Sequence, residues 1–491
     1  MARSTKSSSL FVLFLLGVAC WSSSCATSLG PGYVVEKQQV QVSFVSQAEP
    51  RIRVIAEYHL KNTGNQVLDS LDVRLPGRRF NPAELTVLWD GASIPQTPSE
   101  DNPRDTLLRF PEPWAIHSRH IIRFAYDIRS NSAEQRAIAF SADAFDLPAE
   151  SWTPALPQAR GVFGFGGVPP QKWDLVVRVP QGFLVHASGV KKKHSATNVE
   201  MEFRFEQTAQ DFNPFVVAGR YRETRQQLAE NQHVVIWSRA EVNSQDLQRA
   251  GESLSKTLAT YDSLFGSRGK SKSPLWIVEC PAAAGCFLQR SSLYSSLLYG
   301  SATEGSAEMI SRDTVAIDPR VPQGQRESLA GPALAAGWLG YGQNPGFYEQ
   351  QPPMSALPSF AAALAREVSS GTQVRSEIIQ RALAQIPAGA SRESNGDPAV
   401  SRAKSLLLFY ALRDRVGPEK FQKAMQHMLY ARQSRGFDIT DLISALEEES
   451  HQSVGPFVRE WIKRPGVPED FRAMYSQSTA RQDSLAQEAT P

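Results

Sequence analysis

The sequence predicts an α+β protein: an N-terminal antiparallel β-sandwich or saddle domain, then a mostly helical domain with a small mixed sheet. Three observations carry this. From about Tyr33 to Glu223, apolar residues recur mostly at every second position, with Pro and Gly between the runs. From about Arg326 onward they recur at three- and four-residue spacing. The chain has 491 residues, more than one core usually organises.

The first residues read as an export leader, 1–26. Arg3 and Lys6 precede the apolar run Leu10–Ala19, which is too short for a good membrane span. Cleavage after Ala26 is one outcome. Lipidation of Cys20 or Cys25 through a loose lipobox is the other. Periplasm, cell envelope or secretion is the expected location, in a bacterial setting. A membrane would be met only through an N-terminal lipid anchor.

Residues 33–223 are expected to form the sandwich. Ile52, Val54, Ala56, Tyr58 and Leu60 alternate with Arg53, Ile55, Glu57 and His59, so one strand face is buried. Leu71, Val73 and Leu75 repeat the pattern, as do Ile122, Phe124, Tyr126 and Ile128. The basic run Lys191–Lys193 reads as a solvated turn. The polar stretch Gln226–Gln232 reads as a linker. Residues 233–475 then form the second domain. A helix is predicted over Ser244–Phe265, where Leu247, Ala250, Leu254, Leu258, Tyr261 and Phe265 share a face and Gly266 ends it. Leu275–Glu279 is a strand. Helices follow at Ala403–Arg415, after Pro418, after Asp438 or Thr440, and through Phe457, Val458, Trp461 and Ile462 up to Pro465. The polar tail 476–491 is expected to be disordered.

Formal net charge is +2, with 41% hydrophobic and 21% charged residues. This gives no electrostatic case for nucleic acid. Of the four cysteines, Cys280 and Cys286 lie outside the leader region. They form either a short-loop disulfide or two unpaired, partly buried thiols. His117 and His120 are three apart in strand-rich sequence, a spacing that puts them on opposite faces. All eight histidines are read as structural.

Several stretches together resemble the membrane alanyl aminopeptidase family, gluzincins with a thermolysin-like catalytic domain. They are Trp152-Thr153-Pro154, WDLVVRVPQGFLVHASG, FVVAGRY, LFGSRGKSKSPLWIVECP, RAKSLLLFYALRDRVGPEKFQKAMQHML and DITDLISALEEESHQSVGPFVREWIKRPGVPE. The resemblance implies two zinc-binding His one helical turn apart, a general-base Glu after the first, and a Glu ligand on the next helix. It also implies a Gly-x-Met-Glu-Asn strand for the substrate's amino end and a Tyr for the oxyanion.

Anchored on Trp338-Leu339-Gly340, those roles fall on residues that cannot perform them. The His positions fall on Pro332 and Ala336, and the base on Ala333. The third ligand falls near Ser355–Ser359, around Pro358. The amino-end strand matches GCFLQRSSL, its Glu near Leu288 with Gln289 beside it. The oxyanion Tyr falls on Arg402. Zinc is therefore expected to be absent. Pro332 suits a helix start, so the helix is expected to begin at Gly331 or Pro332. Phe287, Gln289, Arg290, Trp338, Tyr341 and Arg402 are candidates to line a surviving groove that binds a peptide or an envelope protein. The expectation is an exported pseudopeptidase acting as a binding or scaffold protein. The rival is a peptidase or other hydrolase with a non-standard site in the same groove.

Overall fold

A computed structural model describes residues 32–45, 50–75, 84–98, 105–129, 141–148, 152–156, 172–207, 214–229, 232–239, 244–266, 274–280, 307–311, 313–318, 323–339, 353–371, 373–387, 389–390, 397–431 and 437–475. The expected leader with Cys20 and Cys25, the polar tail 476–491, and the groove candidates Phe287, Gln289, Arg290 and Tyr341 lie outside them. So does Cys286.

Strands dominate the N-terminal half. They are β1 (Tyr33–Val45), β2 (Arg51–Asn62), β3 (Leu68–Arg74), β4 (Thr86–Trp89), β5 (Ala92–Ser93), β6 (Gln96–Pro98), β7 (Asp105–Trp114) and β8 (Arg119–Arg129). There follow β9 (Ala144–Leu147), β10 (Trp173–Pro180), β11 (Leu184–Ala187), β12 (Val190–Ala196), β13 (Glu200–Gln207) and β14 (Val216–Gly219). An eight-stranded sheet runs β12-β13-β10-β1-β2-β8-β4-β5. It packs on two three-stranded sheets, β3-β7-β6 and β11-β14-β9, around one hydrophobic core. The alternation in β2 is the reason: Ile52, Val54, Ala56 and Leu60 are fully buried while Arg53 is exposed. One pairing departs from the antiparallel expectation, since β1 and β10 run parallel. The Tyr58 and Tyr126 hydroxyls donate to the Pro154 and Trp152 carbonyls, and Trp152 Nε1 donates to the Pro214 carbonyl at 2.9 Å. That pins the Trp152-Thr153-Pro154 stretch inside the core.

The expected linker is a strand. β15 (Arg222–Ala229) pairs with β16 (Gln232–Ser238) as a hairpin. Its polar sequence misled because it is an edge strand whose described side chains are mostly exposed. Lys191–Lys193 likewise lie in β12, an exposed edge strand rather than a turn. With β17 (Leu275–Glu279), β18 (Ala307–Ser311) and β19 (Thr314–Ile317), the hairpin completes a mixed sheet in the order β15-β16-β17-β19-β18.

Helices cover one face of this sheet. They are α1 (Ser244–Phe265), α2 (Gln323–Trp338), α3 (Leu357–Ser370), α4 (Gln373–Ala384), α5 (Pro398–Val416), α6 (Pro418–Ala431), α7 (Ile439–Ser450) and α8 (Gly455–Lys463). A short 3-10 turn, Met354–Ala356, leads into α3. Asp438 caps α7 and exchanges bonds with Asp441, so the helix starts where the sequence placed it. The chain is thus α+β, with the expected strand-rich first half and helical second half.

The sheet's other face meets β11, β9 and β14. Phe215, Val217 and Tyr221 pack there against Val235, Trp237 and Val278. His186 sits in this seam. Its ring stacks on Trp276 at 3.8 Å and its Nε2 lies 3.0 Å from Thr314 Oγ1. Burial among Phe215, Trp237 and Trp276 pushes the imidazole down to about 4, although Asp313 and Glu223 pull the other way. The unfolded chain, with an ordinary value of 6.5, therefore takes up the proton first as pH falls. Stability is unaffected above that value, declines between 6.5 and about 4, and is level below. The full loss is about 2–3 kcal/mol, discounted for the ring's residual exposure. Urea midpoints measured across this range should fall for wild type more than for His186→Gln. Parallel curves for the two proteins would contradict it.

Candidate functional site

The helix picked out by the sequence is α2. It packs against α1, α3, β18 and β19, at the centre of the second domain. It does not begin at Gly331 or Pro332 as expected. It begins at Gln323, and Pro332 lies in its interior. Proline there removes the bond to the Ser328 carbonyl and costs about 3 kcal/mol. Packing on several sides overrides that cost. In the same turn, the Tyr261 hydroxyl from α1 donates to the Gly331 carbonyl at 2.9 Å. Pro332→Ala should therefore raise stability, by about 1–2 kcal/mol once the lost ring contacts are subtracted. A fall in the thermal midpoint would contradict this.

The side chains at the implied zinc and base positions are hydrocarbon and mostly enclosed. Pro332 is buried, Ala333 is 6% exposed, and half-buried Ala336 packs against the same core as Leu334, Leu339 and Phe360. None carries an atom that can donate an electron pair to a metal. Trp338, expected at the groove, is buried in that core beside Tyr261. It follows its helix face inward, as a residue at three- and four-residue spacing from Leu334 and Ala335 must.

The stretch expected to hold the third ligand, Ser355–Ser359, spans the 3-10 turn and the first turn of α3. Ser355 is half-buried; Ala356, Leu357, Pro358 and Ser359 are buried. Arg402 comes to the same corner. Phe409 of α5 stacks on Phe360 of α3 at 5.3 Å, and Arg413 pairs with Glu367 at 2.7 Å. The two helices therefore run alongside in the same direction. Arg402 shares the stripe of Leu406, Phe409 and Arg413 and lies two turns, about 10 Å, before Phe409. That sets it level with the 3-10 turn, against which α5 packs. Arg402 is half-buried, and its Nε is shielded from solvent with no hydrogen-bond partner.

Behind this corner α5 is fastened to α8. Lys404 is buried; its Nζ donates to the Ile462 carbonyl at 3.2 Å and to that of Arg464. Trp461 Nε1 returns a bond to the Lys404 carbonyl at 3.2 Å. Burial lowers the Lys404 pKa. Arg375 joins Asp414 and the Tyr475 hydroxyl, tying the end of the described chain to α4 and α5.

Cys280 is buried and disulfide-bonded.

A second polar cluster lies in the sandwich. Ser118 Oγ is 3.2 Å from His120 Nε2, and His120 Nδ1 is 2.5 Å from Asp90 Oδ2. The spacing is that of a nucleophile, base and orienting acid. The surrounding bonds give it another use. The Ser118 hydroxyl donates to the Ala115 carbonyl at 2.7 Å. The backbone N–H groups of His117, Ser118 and Ile121 are engaged by Asn62, Ala115 and Asp90. None of these three is left for an oxyanion. The cluster fixes two tight turns, in which Asp90 and His117 have φ of 49° and 63°. His117 thus sits in a turn, not on a strand face opposite His120. No sequence signal marked Asp90, because it is 30 residues from His120.

By sequence, no protein-family model and no curated protein matches the chain. Among the described residues, no group of three or more His, Cys, Asp or Glu is placed to hold a metal ion. By structure the likeness is broad. The M1 zinc metallopeptidase from Deinococcus radiodurans matches with a TM-score of 0.57 at 15% identity, over 90% of this chain and 96% of that one. A mutant of that enzyme bound to a Tyr-Ser-Ala substrate matches with a TM-score of 0.59 at 15% identity, over 89% and 96%. A two-domain M1 zinc metallopeptidase mutant bound to L-tryptophan gives 0.57 at 15% identity. The fold of this chain is the two-domain, gluzincin-like fold of the M1 zinc metallopeptidases.

Proposed function

We propose that this protein is an exported, non-catalytic relative of the zinc aminopeptidases that binds peptide or protein partners or acts as a scaffold. The observation that carries the reading is α2. Its zinc and base positions hold Pro332, Ala333 and Ala336, packed into or against a hydrophobic core. Zinc needs ligand nitrogen, oxygen or sulfur atoms at tetrahedral spacing, and these side chains have none. The residues present do not fit the metal, so no hydrolytic step is derived through it. The two-domain fold is shared with the M1 zinc metallopeptidases, and in this chain Lys404 and Trp461 fasten α5 to α8. Retaining a peptidase frame while filling the metal position with methyl groups suits recognition rather than cleavage. The leader-like pattern of residues 1–26, Arg3 and Lys6 before the apolar run Leu10–Ala19, supports export. No helix among the described residues is long and apolar enough to cross a membrane.

Fluorescence anisotropy of the full chain with a mixed-sequence labelled peptide library tests the reading, with mass spectrometry of the peptides afterwards. Saturable binding with intact peptides is expected. Cleaved peptides would overturn the non-catalytic part, and no binding would overturn the peptide-binding part.

A further inference from the structure

Helix α5 carries four basic residues, and three of them are engaged. Lys404 donates to two carbonyls, Arg413 pairs with Glu367, and Arg415 lies over the Phe457 ring at 5.0 Å. Arg402 differs: its Nε is shielded from water and no hydrogen bond satisfies it. A guanidinium donor buried without a partner is costly, and such groups are rare in folded proteins. The 3-10 turn and the first turn of α3, residues 353–360, against which α5 packs, contain no Asp or Glu. That stretch therefore adds no negative charge beside α5, and the Arg402 Nε donor is unspent.

Resting on the peptide-binding reading, we infer that Arg402 anchors the free C-terminal carboxylate of a peptide at the corner between the 3-10 turn and α5. A carboxylate matches the planar fork of a guanidinium with two parallel bonds. It would satisfy the shielded Nε, whereas a peptide's amino end would meet an uncompensated cation. The ligand would then lie with its C-terminus, not its amino end, at this corner. Arg402 acts here as a binding residue, with no part in a chemical step.

The test uses the full chain and two peptides of one sequence, ending in a free acid or in an amide, with wild type, Arg402→Gln and Arg402→Lys. Wild type should prefer the acid by about tenfold, the scale of one charge-assisted pair. Arg402→Gln should bind the two alike, at the wild-type affinity for the amide. Arg402→Lys should keep a reduced preference. Acetate should compete for the acid peptide; inorganic phosphate competing far better than acetate would instead identify a phosphate site and overturn the assignment. The thermal midpoint of Arg402→Gln should equal or exceed that of wild type, since no native bond is lost. A clear fall would reveal a structural partner and overturn the inference. Equal binding of acid and amide by wild type would overturn it while leaving peptide binding standing. Binding of neither peptide would overturn both.

Discussion

Trp461→Ala is expected to lower stability by about 3–5 kcal/mol, the usual cost of removing a large aromatic from a packed core. Trp461 is 2% exposed and meets Phe457 at 5.6 Å and Phe471 at 5.3 Å. Truncation also removes the second bond that the Lys404 carbonyl accepts, from Trp461 Nε1, beyond its helical one. The Lys404 ammonium that holds the Ile462 and Arg464 carbonyls would then lose its alignment. The loss should appear in a urea titration as a lower midpoint. Trp461→Phe should recover much of the packing but not the hydrogen bond, and should fall between the two. A Trp461→Ala midpoint within error of wild type would refute the fastening.

Ala333→Glu should be nearly as damaging, at about 3–5 kcal/mol. Ala333 is 6% exposed in the core shared by α1, α2 and α3. A carboxylate there either remains charged without a partner or takes up a proton, and both cost free energy. In an active metallopeptidase the same residue would be held by the metal-bound water. The triple variant Pro332→His, Ala333→Glu, Ala336→His should therefore be destabilised and should gain no peptidase activity. The stretch 353–360 still supplies no acidic ligand. Thermal melts and hydrolysis of alanyl and leucyl substrates check both statements. Activity in this variant would show that the remaining site residues were misplaced.

Elements with a strong one-sided pattern were legible from sequence. Helix α1 spans Ser244–Phe265 as its three- and four-residue spacing required, and Gly266 ends it with φ of +88°. Strand β17 and the starts of α6 and α7 follow the same logic. Edge strands were not legible. β12 is exposed along its whole length, and β15 is mostly exposed and polar, so neither shows alternation. Pro332 misled in the opposite sense: tertiary packing outweighed a strong local preference. The parallel β1–β10 pair joins segments too distant for local pattern to relate. At the candidate site, the hydrocarbon residues of α2 were plain in the sequence. The isolation of Arg402 was not, because it follows from the register of α5 against α3 set by Phe360, Phe409, Glu367 and Arg413.

The central claim is that α2 does not hold a catalytic metal. Elemental analysis of the full chain after incubation with excess zinc and exhaustive desalting tests it most directly, paired with hydrolysis of alanyl and leucyl chromogenic substrates. The account predicts no retained stoichiometric zinc and no turnover. Retained zinc, with turnover that a chelator abolishes, would contradict it.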